Sequence, residues 1–136
     1  MPLLLRAIAY ICIGITAEIL FTGLKPLARR DYTLPAHTTL WMFPVYGLLI
    51  PFAFEPLHFA VQGWNILLRG LVYATCILLV EYLAATLYIC LLKKNPWEYV
   101  KGWHVHGKIR LDYFPFWMLF GLLIERLHTS FLHITL

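Results

Sequence analysis

Four apolar stretches, each about as long as a bilayer core is thick, constrain this chain more than any other feature. They cover residues 3–24, 39–59, 66–92 and 113–132 of a 136-residue sequence. About 20 apolar residues in helical form cross roughly 30 Å of hydrocarbon. Within hydrocarbon every backbone N–H and C=O must find a protein partner, which the α-helix supplies inside its own segment. The expected fold class is therefore all-α, a polytopic integral membrane four-helix bundle forming one domain. Composition agrees: 13% of residues are charged, against about 25% in a soluble domain, and mean hydropathy is +0.73. Pro44, Pro51 and Pro56 fall in the second stretch. Membrane helices tolerate proline when neighbours satisfy the freed carbonyls, so the second helix is expected to be kinked.

Charge sets the expected orientation. Lys25, Arg29 and Arg30 follow the first stretch, and Lys93, Lys94, Lys101, Lys108 and Arg110 follow the third. The opposite side has Arg6, Arg69 and Arg126. The positive-inside rule makes residues 25–38 and 93–112 cytoplasmic loops and puts both termini outside, in a bacterial cytoplasmic membrane. Basic residues confined to such loops are no nucleic-acid footprint, and none is expected as a partner. The N-terminal run carries Glu18 and lacks a small-x-small cleavage site, so a retained helix is expected in place of a signal peptide. Cys12, Cys76 and Cys90 sit inside apolar runs without paired spacing and read as packing residues.

The longer loop mixes Trp97, Tyr99 and Trp103 with Lys101 and Lys108 after an Asn95-Pro96 turn signal. That composition suits a segment lying among lipid headgroups or an aromatic belt anchoring helix ends. A repeat is also visible. Residues 17–22 read AEILFT and 80–86 read VEYLAAT. The second and fourth stretches share Phe-Pro, Gly-Leu-Leu-Ile and Glu-x-Leu-His. Two hairpins of the same orientation would give this pattern. A four-residue insertion between Ile50 and Glu55 keeps chance similarity open.

Each apolar stretch carries or ends in one glutamate: Glu18, Glu55, Glu81 and Glu125. An acidic side chain at a membrane helix centre costs about 2.5–3.5 kcal/mol, so four ask for an explanation. Gly14, Glu18 and Thr22 share a helix face, as do Gly121, Glu125 and Thr129. Small residues around a polar one mark a helix–helix interface. At about 1.5 Å per residue, Glu81 and Glu125 both fall about 18 Å into their helices, where they are expected to meet, with Glu18 below them and Glu55 near the outer end. Arg6, Arg69 and Arg126 are candidate partners for Glu55 or Glu125. A buried polar cluster of this kind serves either helix packing or a path for an ion, proton or lipid headgroup.

Glu55/His58 and Glu125/His128 are both Glu-x-x-His, and the other two helices each supply a glutamate, as in di-iron carboxylate bundles. Those four residues are thus the candidate metal ligands. The depth difference between Glu18 and Glu55 and the prolines beside Glu55 weigh against it, and no metal or other cofactor is expected.

AEILFT, LWMFPVYG, VEYL, NPWEY, GKIRLDYFPFW and FGLLIER occur in an order that resembles the type IV ABC-transporter (CmpB-like) family, which includes small vertebrate transmembrane proteins. The resemblance spans about residues 13–126. Its most specific positions are Trp97, Tyr99, Gly107, Tyr113 and Trp117. It implies a multi-helix membrane protein with intramembrane acids and a transport-related, permease-like role. The chain has no nucleotide-binding motif, so a separate ATPase or other partner subunit, or a homo-oligomer within membrane lipid, would complete it. A membrane enzyme acting on a lipid or quinone through Glu and His, and a non-catalytic scaffold subunit, are the rival expectations. On any functional reading Glu81→Gln folds but loses function; a folded variant that fully complements a deletion would make Glu81 structural.

Overall fold

The computed structural model describes residues 1–135. Its four helices are α1 (Leu3–Leu24), α2 (Met42–Val61), α3 (Ile66–Leu92) and α4 (Phe114–Leu132). The first three are long and apolar enough to cross a membrane. Helix α4, at 19 residues, is shorter and more polar. A 3₁₀ turn, Lys25–Arg29, prolongs α1, and another, Leu111–Tyr113, precedes α4. The fold is not wholly helical. Strands β1 (His104–Val105) and β2 (Ile109–Arg110) form a small antiparallel hairpin between α3 and α4, pairing His104 with Arg110 and Val105 with Ile109.

Helix α2 carries the prolines by changing its winding. Met42–Pro44 is α-helical, Val45–Phe54 is a π-helix, and Glu55–Val61 is α-helical again. Pro51 lies inside the π segment, where no N–H is available to it. A ten-residue π stretch is unusual, since most are single-turn bulges, often at functional sites. Helix α3 starts cleanly because Asn65 Oδ1 accepts from the Leu67 N–H at 2.8 Å.

The helices pack as two hairpins, α1 on α2 and α3 on α4. Small residues set the approach. A Cβ at Gly14 would lie 2.3 Å from the Tyr46 ring, and one at Gly121 would lie 2.5 Å from Tyr73 Cβ. The core joins Tyr10, Tyr46, Phe54, Tyr73, Trp117 and Ile124 across both hairpins. Leucines instead cover the outside: Leu4, Leu20, Leu48, Leu83, Leu91 and Leu119 are all exposed. Both chain ends lie at one end of the bundle, where the Met1 amine donates to the carbonyls of Phe131 (3.3 Å) and Ile134 (2.7 Å).

The segment after α3 folds back along that helix. Asn95 is buried; its Nδ2 donates to the Gly107 carbonyl and its Oδ1 accepts from the Trp97 N–H. The Tyr99 N–H donates to the same Gly107 carbonyl at 2.8 Å. Gly107 has φ +67°, and a Cβ there would sit 3.3 Å from the Tyr99 carbonyl. Higher along α3, Tyr82 meets His106 and Lys108 donates to Thr86. The loop is thereby a wall of the bundle, where the sequence pointed to headgroup contact.

Overpacking a tight helix crossing costs about 1–3 kcal/mol. Gly121→Ala is therefore expected to lower unfolding stability in detergent by that amount. Gly63→Ala, with nothing within 4 Å of the new methyl, should show no packing loss.

Candidate functional site

The four carboxylates expected to form one buried cluster are divided between two places; Glu55, Glu81 and Glu125 are buried and Glu18 is half-buried. At the end holding the termini, two equivalent sets of side chains interlock. Arg6 grips Glu55 through Nε (2.9 Å) and Nη2 (3.1 Å), and Arg69 grips Glu125 through the same two nitrogens at 3.0 Å each. Tyr10 donates to Glu55 Oε1 (3.0 Å) and Tyr73 to Glu125 Oε2 (2.5 Å). The hydroxyls then cross over. Tyr10 meets His128 Nδ1 at 2.9 Å, and Tyr73 meets His58 Nδ1 at 3.1 Å. Each histidine also faces the other hairpin's glutamate, at 3.3 Å for His128–Glu55 and 3.5 Å for His58–Glu125. Even the remaining guanidinium nitrogens correspond, with Arg6 Nη1 donating to the Met1 carbonyl and Arg69 Nη1 to that of Trp64.

Glu-x-x-His thus brings Glu55, His58, Glu125 and His128 together, but each carboxylate is held by a bidentate guanidinium. Among the described residues no group of three or more His, Cys, Asp or Glu side chains is arranged to hold a metal. Arg126 is exposed, leaving Arg6 and Arg69 as the guanidinium partners. The sequence signal for this site is Arg6-x-x-x-Tyr10 and Arg69-x-x-x-Tyr73, at equal distances before Glu18 and Glu81. Residues four apart share a helix face, so each pair reaches its glutamate together.

Glu125 does not meet Glu81. Glu125 lies opposite Arg69 and Gly121 opposite Tyr73. Continuing this antiparallel register sets Glu81 level with the start of α4. There Glu81 Oε1 accepts from Tyr99 of the folded-back loop at 2.8 Å. Burial, and then the Glu81 carboxylate beside it, push the Tyr99 phenol well above the ordinary tyrosine range, so it stays a hydrogen-bond donor. Glu18 accepts from Tyr46 at 3.0 Å and from the Thr38 hydroxyl.

A cavity of about 560 Å³ opens at this second end. Glu18, Thr38 and Tyr99 line it together with Lys25, Lys101 and Arg110. Lys25 donates to the Tyr113 hydroxyl at 2.5 Å and lies 4.6 Å from the Phe21 ring centre. Arg110 donates to the same hydroxyl and pairs with Asp112. The motif residues converge here. Trp97, Tyr99, Tyr113 and Trp117 line the cavity, and the Gly107 carbonyl ties the loop that presents Tyr99. Trp97 also packs edge-on against Tyr88 and donates from Nε1 to the Lys108 carbonyl. A second, apolar cavity of about 90 Å³ lies between α2, α3 and α4 and shares Met42 and Trp117 with the first.

Fold and site together define a helical chain with an apolar exterior, one end tied by ion pairs and the other hollow and basic-rimmed. Compared with family models, curated proteins and solved structures, the chain matches none.

Removing one partner of a buried ion pair costs about 3–5 kcal/mol, because the other charge is left uncompensated. Arg6→Met and Arg69→Met are expected to lose similar amounts in that range. Arg126→Met should change stability by less than about 0.5 kcal/mol, as an exposed residue. Detergent unfolding of the three variants checks the equivalence.

Proposed function

We propose that the chain is a polytopic integral membrane protein of four helices, built as two parallel-repeat hairpins, acting as a small permease-like component of a transport system. The observation that carries this reading is the cavity of about 560 Å³ lined by Glu18 and Glu98 together with Lys25, Lys101 and Arg110. Its volume lies in the range of small-molecule sites, about 300–1,000 Å³. Carboxylates and cations in one lining favour a solute bearing both signs of charge. Three helices long and apolar enough to cross a membrane, and leucines on the exterior, support membrane embedding. The basic segments lie away from the termini, so the positive-inside rule makes the cavity cytoplasmic and the tied end external, in a bacterial cytoplasmic membrane.

Transport further needs a closed end when the other is open. The bidentate Arg6–Glu55 and Arg69–Glu125 pairs, bridged by Tyr10 and Tyr73, supply that closure. Four helices enclose little solute path, which favours a homo-oligomer or a separate ATPase subunit. The order of motifs resembling the CmpB-like family supports the same reading.

Melting of the purified chain with phosphocholine, choline or inorganic phosphate tests the site. Phosphocholine is expected to raise the melting temperature of the wild type most. Glu18→Gln should bring its effect down to that of phosphate, and Lys101→Ala should weaken both. No shift with any of the three, or shifts unchanged in both variants, would remove the cavity as a solute site.

A further inference from the structure

Three buried side-chain polar atoms lack a hydrogen-bond partner among the described residues: Glu81 Oε2, Trp117 Nε1 and His128 Nε2. Glu81 and Trp117, 6% and 7% exposed, line the same apolar cavity of about 90 Å³. The α3–α4 register puts Trp117 about one helical turn, roughly 5 Å, from the level of Glu81. The rest of the lining is hydrocarbon and aromatic, including Val45, Leu49, Ile50, Ile77, Val80 and Ile124. Orphaned buried polar groups are rare in native proteins, and two on one apolar wall define the chemistry that would complete them.

We infer that this cavity is a binding site for a lipid-soluble alcohol, its hydroxyl set between Glu81 and Trp117 and its hydrocarbon on the apolar lining. Trp117 Nε1–H requires an acceptor, and a Glu81 carboxylate oxygen requires a donor. One hydroxyl is both: its O–H donates to Oε2 while its oxygen accepts from Nε1–H. A hydrocarbon would leave both polar groups unpaired. Water would satisfy the two polar groups but leave the hydrocarbon and aromatic remainder of the lining without a partner. The site adjoins the solute cavity, sharing Met42 and Trp117 with it, and it rests on membrane embedding without requiring transport.

A hexadecanol carrying a mid-chain diazirine, photolysed with the detergent-purified full chain, tests the assignment. Labelling is expected on lining residues of α2 and α3, such as Ala53 and Val80. Unlabelled hexadecanol should compete best, hexadecyl methyl ether about tenfold less well, and hexadecane least. The ether accepts a hydrogen bond but cannot donate one. Glu81→Leu should therefore abolish the preference of alcohol over ether, whereas Trp117→Phe should weaken both together.

The wild type supplies a measurement free of folding defects. Cys76 lines the cavity, while Cys12 and Cys90 are exposed and lie outside its lining. Hexadecanol should slow the reaction of Cys76 with methyl methanethiosulfonate, which forms the Cys–S–S–CH3 disulfide and releases methanesulfinate, and leave the other two cysteines unchanged. Equal competition by hexadecane, labelling away from the lining, or an unprotected Cys76 would overturn the proposal. The outcome is independent of the phosphocholine experiment, because Glu18→Gln leaves this lining intact.

Discussion

Two tyrosine hydroxyls carry the connection between the halves of this molecule. Arg6–Glu55 ties α1 to α2 and Arg69–Glu125 ties α3 to α4, so the ion pairs act within each hairpin. Tyr10 and Tyr73 each donate to their own hairpin's glutamate and meet the other hairpin's histidine. Tyr10 and Tyr73 are fully buried, as is His128. Hydrogen bonds in such low-dielectric surroundings are stronger than in water, and any unpaired member is correspondingly costly. The arrangement therefore specifies which hairpin faces are joined and in what register.

That fixed end gives the opposite end its freedom. The larger cavity lies near the basic residues, and its walls come from α1, the segment between α1 and α2, Met42 of α2, the loop folded back from α3, and α4. Tyr99 is presented by that loop, yet its hydroxyl ends on Glu81 of α3. A half-buried side chain of the loop is thus one hydrogen bond from a buried carboxylate. The π-wound segment of α2 lines the apolar cavity through Val45, Tyr46, Leu49, Ile50, Ala53 and Phe54.

Much of this was legible in the sequence, for physical reasons. Apolar runs of helical length set the four helices; the prolines pointed to a kink or interruption in α2, where the structure has a π-wound segment inside a helix that runs on from Met42 to Val61. The Glu-x-x-His pairs and the candidate arginine partners Arg6 and Arg69 were also readable. Depth counting alone failed for Glu81 and Glu125, because it measures each helix from its own end. The register is set elsewhere, by Gly121 against Tyr73 and Arg69 against Glu125. Tyr10 and Tyr73 were missed because tyrosine in an apolar run looks like any aromatic packing residue. Their signal was the matched spacing from an arginine. The folded-back loop was missed because the Asn95 side-chain amide and the Tyr99 N–H both end on the Gly107 backbone carbonyl, an acceptor that composition does not record.

The crossed contacts have a consequence for ancestry. Each contact of the crossed set at the tied end has a counterpart with the hairpins exchanged: Tyr10 with His128 against Tyr73 with His58, and His128 with Glu55 against His58 with Glu125. A single hairpin paired with its own copy about a two-fold axis would make all of them from one set of residues. Duplication and fusion of such a self-pairing hairpin would keep the tied end symmetric, since any change there must be matched twice. The other end is under no such demand, and it is there that the halves differ: Glu18 beside Tyr46 and Thr38, and Glu81 beside the loop's Tyr99.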